Sequence, residues 1–173
     1  QSPQNVGTSI NFSASATSEN GAVTYEYKVD GTTVQPYSSK STFEWTPSAA
    51  GKYTIKVKYY GNKYYKSFAK SKTFSITKCH LKFSNATKEI KKSKARKAKI
   101  KITLKTNYKK ALAKKTVYIK INRKTYTAKT NKKGVATFKV KLPKVKKTYK
   151  YKVTFKGDKS NYKKTYNGKL KVY

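Results

Sequence analysis

The stretch KAKIKITLK, Lys97–Lys105, decides how the rest of the chain is read. Lysine stands at every second position for most of its length. In a β-strand successive side chains point to opposite faces, so period two marks a half-buried strand. On that reading Ala98, Ile100, Ile102 and Leu104 share one face, and Lys97, Lys99, Lys101, Thr103 and Lys105 share the other. A helix would scatter the same lysines around its circumference and bury several of them.

The pattern recurs downstream. TVYIKIN sets Val117, Ile119 and Ile121 against Tyr118 and Lys120, and ATFKVKL sets Ala136, Phe138, Val140 and Leu142 against Lys139 and Lys141. YKYKVTFKG sets Tyr149, Tyr151, Val153 and Phe155 against Lys150, Lys152 and Lys156; KLKVY opposes Leu170 and Val172 to Lys169 and Lys171. Between these runs, Thr130-Asn131-Lys132-Lys133-Gly134 and Lys156-Gly157-Asp158-Lys159 carry the residues that tight turns use. Pro143 follows a strand that should end there.

Upstream, SINFSASA, VTYEYKVDG, TFEWTP, GKYTIKVKYYG and SKTFSIT are strand candidates with less charge. Tyr53, Ile55, Val57 and Tyr59 share a face opposite Lys56 and Lys58, and Asp30-Gly31 signals a hairpin. Trp45, the sole indole, is expected to anchor a core. Short strands at hairpin spacing, with no helical period between them, predict an all-β fold of the sandwich type.

The 173 residues carry 43 Lys plus Arg against 6 Asp plus Glu, a formal net charge of +37. That charge is unevenly spread. Residues 1–77 hold nine lysines and four acids, whereas residues 78–173 hold thirty-four basic residues and two acids. Two domains follow, 1–77 near neutral and 78–173 strongly basic. Charge this high can signal disorder, but the 14% aromatic share and the ordered apolar spacing argue for packed cores. No stretch approaches the roughly 18 apolar residues of a membrane helix. With no signal peptide ahead of Gln1, the chain reads as cytoplasmic, already processed, or cut from something longer.

Catalysis finds little to work with. Cys79 and His80 are the only cysteine and the only histidine, adjacent in a predicted linker, so a strand would send their side chains apart. They read as an exposed hinge dipeptide, with an intermolecular disulfide as a minor alternative. Glu19, Glu26, Asp30, Glu44, Glu89 and Asp158 are the only acids, too few in the basic half for the paired carboxylates of a glycosidase or the oxygen cage of a calcium site. The expectation is no enzyme, no metal and no cofactor. A Lys–Asn isopeptide cross-link promoted by Glu44 would need Lys28 or Lys56 buried, and the alternation places both outward. Asn11-Phe12-Ser13 and Asn85-Ala86-Thr87 fit the N-glycosylation pattern, a weak sign of an extracellular chain.

Two binding surfaces stand out. The first is the basic face: Lys97, Lys99, Lys101, Lys120 and Arg123, with Lys139, Lys141, Lys150 and Lys152. Such a face attracts any polyanion through counterion release. Specific nucleic-acid readers favour the bidentate fork of arginine, and the chain has only Arg96 and Arg123. The second surface is the aromatic hairpin of Tyr59, Tyr60, Tyr64 and Tyr65, where alternation turns one member of each pair outward, either to meet a sugar or a protein or to cover the sandwich end and flank the strands.

The motifs in KTVYIKINRKTYTAKTNKKGVATFKVKLP and YKVTFKGDKSNYKKT resemble the bacterial-type Ig-like repeats of adhesin-like surface proteins. They are Val117/Ile119/Ile121, Thr130/Asn131/Gly134/Ala136/Phe138, Tyr149/Val153/Phe155/Gly157/Asp158 and Asn161/Tyr162. The first half is similar to the triple-tyrosine or polycystic-kidney-type Ig-like module at Ser2-Pro3, Phe43-Glu44-Trp45-Thr46-Pro47 and Ala50-Gly51-Lys52-Tyr53. The resemblance implies two tandem Ig-like β-sandwich domains in an extracellular, surface-attached or secreted module that spaces or binds rather than catalyses. Its partner would be an anionic cell-wall polymer, a glycan or a neighbouring cell surface. The alternative is a secreted protein binding nucleic acid or other polyanions without specificity. Outward lysines guard strand edges against pairing, so a monomer, alone or within a longer repeat chain, is the default.

Overall fold

The computed structural model describes residues 3–17, 23–60 and 67–173. The chain is all-β and divides into two compact units, Gln1–Lys78 and Cys79–Tyr173.

The first unit contains β1 (Gln4–Asn5), β2 (Ile10–Ser13), β3 (Thr24–Val29), β4 (Thr32–Ser38), β5 (Thr42–Trp45), β6 (Gly51–Tyr60) and β7 (Phe68–Thr77). One sheet runs β1-β7-β6-β3-β4, and β2 pairs with β5 in a second. Rings line the space between them. Phe12 meets Phe74 edge-on at 5.1 Å and stacks on Phe43 at 6.2 Å, and Tyr27 lies 5.4 Å from Phe43. Tyr27 is 1% exposed, and its hydroxyl donates to the Ser41 carbonyl at 2.5 Å. The core anchor is therefore Tyr27. Trp45 is only half-buried and packs edge-on against Tyr53 at 4.9 Å.

Strict alternation fails most sharply in β3, where Tyr25, Glu26 and Tyr27 are all buried. The β3–β4 register shifts on either side of Tyr27, and Glu26 is covered by its partners. Thr33 Oγ1 donates to Glu26 Oε1 at 2.9 Å, Lys28 Nζ lies 3.3 Å from the same oxygen, and Lys58 stands opposite on β6.

The second unit contains β8 (Leu81–Asn85), β9 (Glu89–Ile90), a 3-10 helix (Lys92–Lys97), β10 (Ala98–Thr106), β11 (Thr116–Ile121), β12 (Lys124–Lys129), β13 (Val135–Val140), β14 (Lys147–Phe155) and β15 (Lys164–Val172). Its sheets run β13-β10-β8 and β12-β11-β14-β15-β9. Alternation holds here throughout. Ile100, Ile102 and Leu104 of one sheet, and Val117, Ile119 and Val153 of the other, are fully buried. The start of β10 differs from the sequence reading. Lys97 closes the 3-10 helix rather than opening β10, because Ala95 is buried and its carbonyl accepts the Leu142 N–H at 3.1 Å.

The recurrent motifs prove to be turn chemistry. Asn131 Oδ1 accepts the N–H groups of Lys133 and Val135 at 2.9 and 3.0 Å. Gly134 sits at φ +75°, where an added Cβ would lie 2.5 Å from the Leu104 carbonyl oxygen. Thr130 is buried; its hydroxyl donates to the Leu112 carbonyl at 2.5 Å and accepts the Lys115 N–H at 2.9 Å. Asp158 Oδ1 accepts from Ser160 N and Asn161 Nδ2, both at 2.9 Å, while Oδ2 meets Lys115 Nζ at 2.5 Å. These residues tie loops together.

Two hairpins allow a direct comparison. Asp30-Gly31 joins β3 to β4 with both residues at positive φ, +47° and +83°. Asn122-Arg123 joins β11 to β12 in the same way, at +47° and +61°. The second hairpin, and β12 with it, carries no glycine and escaped the sequence reading.

Candidate functional site

Every one of the nine predicted basic residues is exposed, but they do not share one face. Lys99, Lys101 and Lys139 stand on the three-stranded sheet, and Lys120, Lys150 and Lys152 on the five-stranded sheet. Lys97 and Lys141 lie at strand ends near Asn122, in one depression with Arg96. Arg123 occupies the β11–β12 turn.

Register brings lysines directly opposite one another. Lys99 faces Lys139, Lys82 faces Lys105, Lys120 faces Lys152, and Lys150 faces Lys169. Like charges in such positions destabilise a sheet. Compensation by acids is sparse among the described residues of this unit. Glu89 reaches Lys171 at 3.7 Å, and Asp158 is committed to Lys115. Burial works to raise the Asp158 pKa, but hydrogen bonds from Lys115, Asn161 and Ser160 and the Lys115 charge outweigh it and hold the carboxyl below its usual range.

The outer face of the five-stranded sheet is indented. A shallow depression of about 530 Å³ is lined by Lys120, Asn122, Arg123, Lys150, Lys152, Asn167 and Lys169. A second, of about 380 Å³, includes Tyr118, Thr154 and Lys156. The Lys156 ammonium lies 4.9 Å from the centroid of the Tyr118 ring.

The aromatic hairpin is described in part. Tyr59 turns inward, 5.4 Å from Tyr25 and 6.2 Å from Phe68. Tyr60 is 41% exposed and meets Tyr37 edge-on at 3.7 Å. Tyr64 and Tyr65 lie outside the described residues. Exposed Tyr37 and Phe68 join this end of the sheet, two neighbours that a reading confined to the hairpin could not supply.

Cys79 corrects the linker reading. It is 5% exposed, its N–H donates to the Ser160 carbonyl, and its carbonyl accepts the Tyr162 N–H. It belongs to the body of the second unit. Burial pushes its thiol pKa up, with Lys110 lowering it less and Asp158 adding to the rise, so it is neither a poised nucleophile nor an accessible partner for a disulfide. His80 is exposed and packs on Tyr162 at 4.7 Å. Glu44 is exposed and accepts the Ser9 hydroxyl, while Lys28 pairs with Glu26, which leaves the isopeptide arrangement unformed. Among the described residues no group of three His, Cys, Asp or Glu could hold a metal ion, and no helix is long and apolar enough to cross a membrane.

Residues 1–57 match the bacterial Ig domain family. No curated protein matches the chain. Among solved structures, the chain is similar to fibronectin(III)-like modules of Clostridium thermocellum CbhA, with TM-score 0.37 and 14% identity over 98% of this chain and 87% of that one. It is similar also to the Bacteroides ovatus glucan-utilization protein SGBP-B in complex with a mixed-linkage heptasaccharide, with TM-score 0.36 and 13% identity over 99% of this chain and 43% of that one. Domains 4–9 of the surface layer protein SbsC give TM-score 0.43 and 17% identity over 92% of this chain and 23% of that one.

Proposed function

We propose that this chain is a non-catalytic, extracellular module of a surface protein, in which the second unit holds an anionic cell-wall polymer or glycan. The first unit, with far less excess charge than the second, serves as a spacer or as a contact domain through the exposed rings of Tyr37, Tyr60 and Phe68. The observation that carries this reading is the set of four directly opposed lysine pairs. A sheet that keeps like charges opposite one another sacrifices stability on its own. A bound polyanion would relieve that repulsion and release its own counterions.

Titration calorimetry of the full chain against polygalacturonate and a neutral glucan, repeated across a salt series, tests the reading. Binding of the acidic polymer should weaken steeply with salt, and the neutral glucan should contact only the first unit, independently of salt. No binding of the acidic polymer at physiological salt would sink the proposal. Tighter binding of duplex DNA at matched charge density would shift the assignment to a secreted nucleic-acid binder.

A further inference from the structure

The cations of the second unit are organised into a path. The depression containing Tyr118, Thr154 and Lys156 shares Lys120 and Lys152 with the larger one beside it. The larger one shares Asn122 with a third, of about 580 Å³, lined by Arg96, Lys97, Lys124 and Lys141. No carboxylate lines any of the three. From Lys156 to Lys150 the path follows β14 for about 20 Å at the usual strand rise. It then passes the Asn122-Arg123 turn and reaches the residues flanking β10 and β13, on the other sheet.

Arg123 follows Asn122 at the bend, and like Lys109 and Lys114 it is a non-glycine residue at positive φ. It sits at φ +61°, in the second position of a two-residue hairpin turn that favours glycine. The equivalent turn of the first unit has Gly31 there. A residue held in a disfavoured conformation motivates a functional explanation, and this one lines the larger depression next to Asn122, the residue that depression shares with the third.

The geometry points to a continuous cationic track in the second unit that takes a flexible, linear, base-free polyanion, with Arg123 as the residue that carries the chain around the bend. This assignment rests on the polyanion reading above and narrows it. A DNA duplex, stiff over about 500 Å, would lie straight along the five-stranded sheet and miss the third depression. A single-stranded nucleic acid would seek ring faces for its bases. Yet Tyr151 is buried, and the ring of Tyr118 already carries the Lys156 ammonium. Lysine-dominated lining accepts phosphate or carboxylate without demanding one orientation.

The test compares Arg123→Gly with Lys132→Gln in the full chain. Glycine suits the turn, so the first variant keeps the fold, and Lys132 lies in the exposed turn at the far end of β12. Each removes one positive charge. The probes are long-chain inorganic polyphosphate, polygalacturonate, single-stranded DNA and a 20-base-pair duplex, in a salt series. For the polymer that binds best, Arg123→Gly should lower affinity about fourfold at 0.15 M salt and flatten the log–log salt slope by about 0.7, the contribution of one contact to a single chain. Lys132→Gln should change it less than twofold. Whichever of polyphosphate and polygalacturonate binds tighter identifies the anion. Equal effects of the two variants, or preference for either form of DNA, would overturn the track while leaving general polyanion binding intact. Absence of binding by every probe would overturn both.

Discussion

Added salt should stabilise the second unit and scarcely affect the first. The perturbation is NaCl raised from 0.01 to 1 M, which shrinks the Debye length from about 30 to about 3 Å. Opposed strand residues have Cβ atoms about 5 Å apart, and mobile ammonium groups splay to about 7 Å. At that distance in water two like charges repel by about 0.6 kcal/mol, of which some two-thirds is removed by the added salt. Four such pairs in the second unit then gain about 1.5–2 kcal/mol together. For a domain of this size that raises the melting temperature by roughly 6–16 °C. In the first unit the Lys28–Lys56 pair is offset by Glu26, 3.3 Å from Lys28 and opposite Lys58. Scanning calorimetry resolves the two transitions, and fluorescence of Trp45, the single tryptophan, identifies the first unit's. General salt effects act on both, so the difference between them is the measurement. Equal shifts, or a larger shift in the transition that Trp45 follows, would refute the reasoning.

Asp158→Asn should destabilise the second unit by about 1–3 kcal/mol, since it leaves the half-buried Lys115 ammonium without its carboxylate. Because the folded-state pKa of Asp158 lies below its ordinary value, its stabilisation is complete above the unfolded pKa, near 4, and is lost as pH falls through the folded one. Urea melts at pH 3 and pH 6 should show a difference that the Asn variant lacks. Gly134→Ala meets both a left-handed backbone and the Leu104 carbonyl oxygen, and should lower the second unit's stability by at least about 1 kcal/mol, read as a shift in the urea midpoint. Arg123→Gly should do the opposite, adding up to about 1 kcal/mol at its positive-φ turn position. An unchanged or lowered midpoint would remove the strain from the argument for Arg123.

The sequence disclosed which way side chains point wherever a strand is flanked on one side by solvent. The buried set Ile100, Ile102 and Leu104, and the exposed lysines between them, follow from the pleat alone. Glu26 broke the rule because a shifted register and a neighbouring strand cover the outer face at that point. Cys79 was misplaced because what buries it comes from residues 158–162, far along the chain. Trp45 lost its expected role to Tyr27 because ring packing between two sheets depends on crossing strands rather than on residue size. The glycine-free hairpin at Asn122-Arg123 lacked the signal that made Asp30-Gly31 legible.

From residue order alone came the all-β character, the outward lysines and the division of charge between two halves, because period-two alternation and turn chemistry are local properties. Only the tertiary structure decided which lysines meet. Alternation tells a side chain which face it takes but not which sheet it joins. Strand pairing at long separation set Lys120 against Lys152 on one sheet, set Lys99 against Lys139 on the other, and brought Arg123 into the lining of the larger depression beside Lys150 and Lys152.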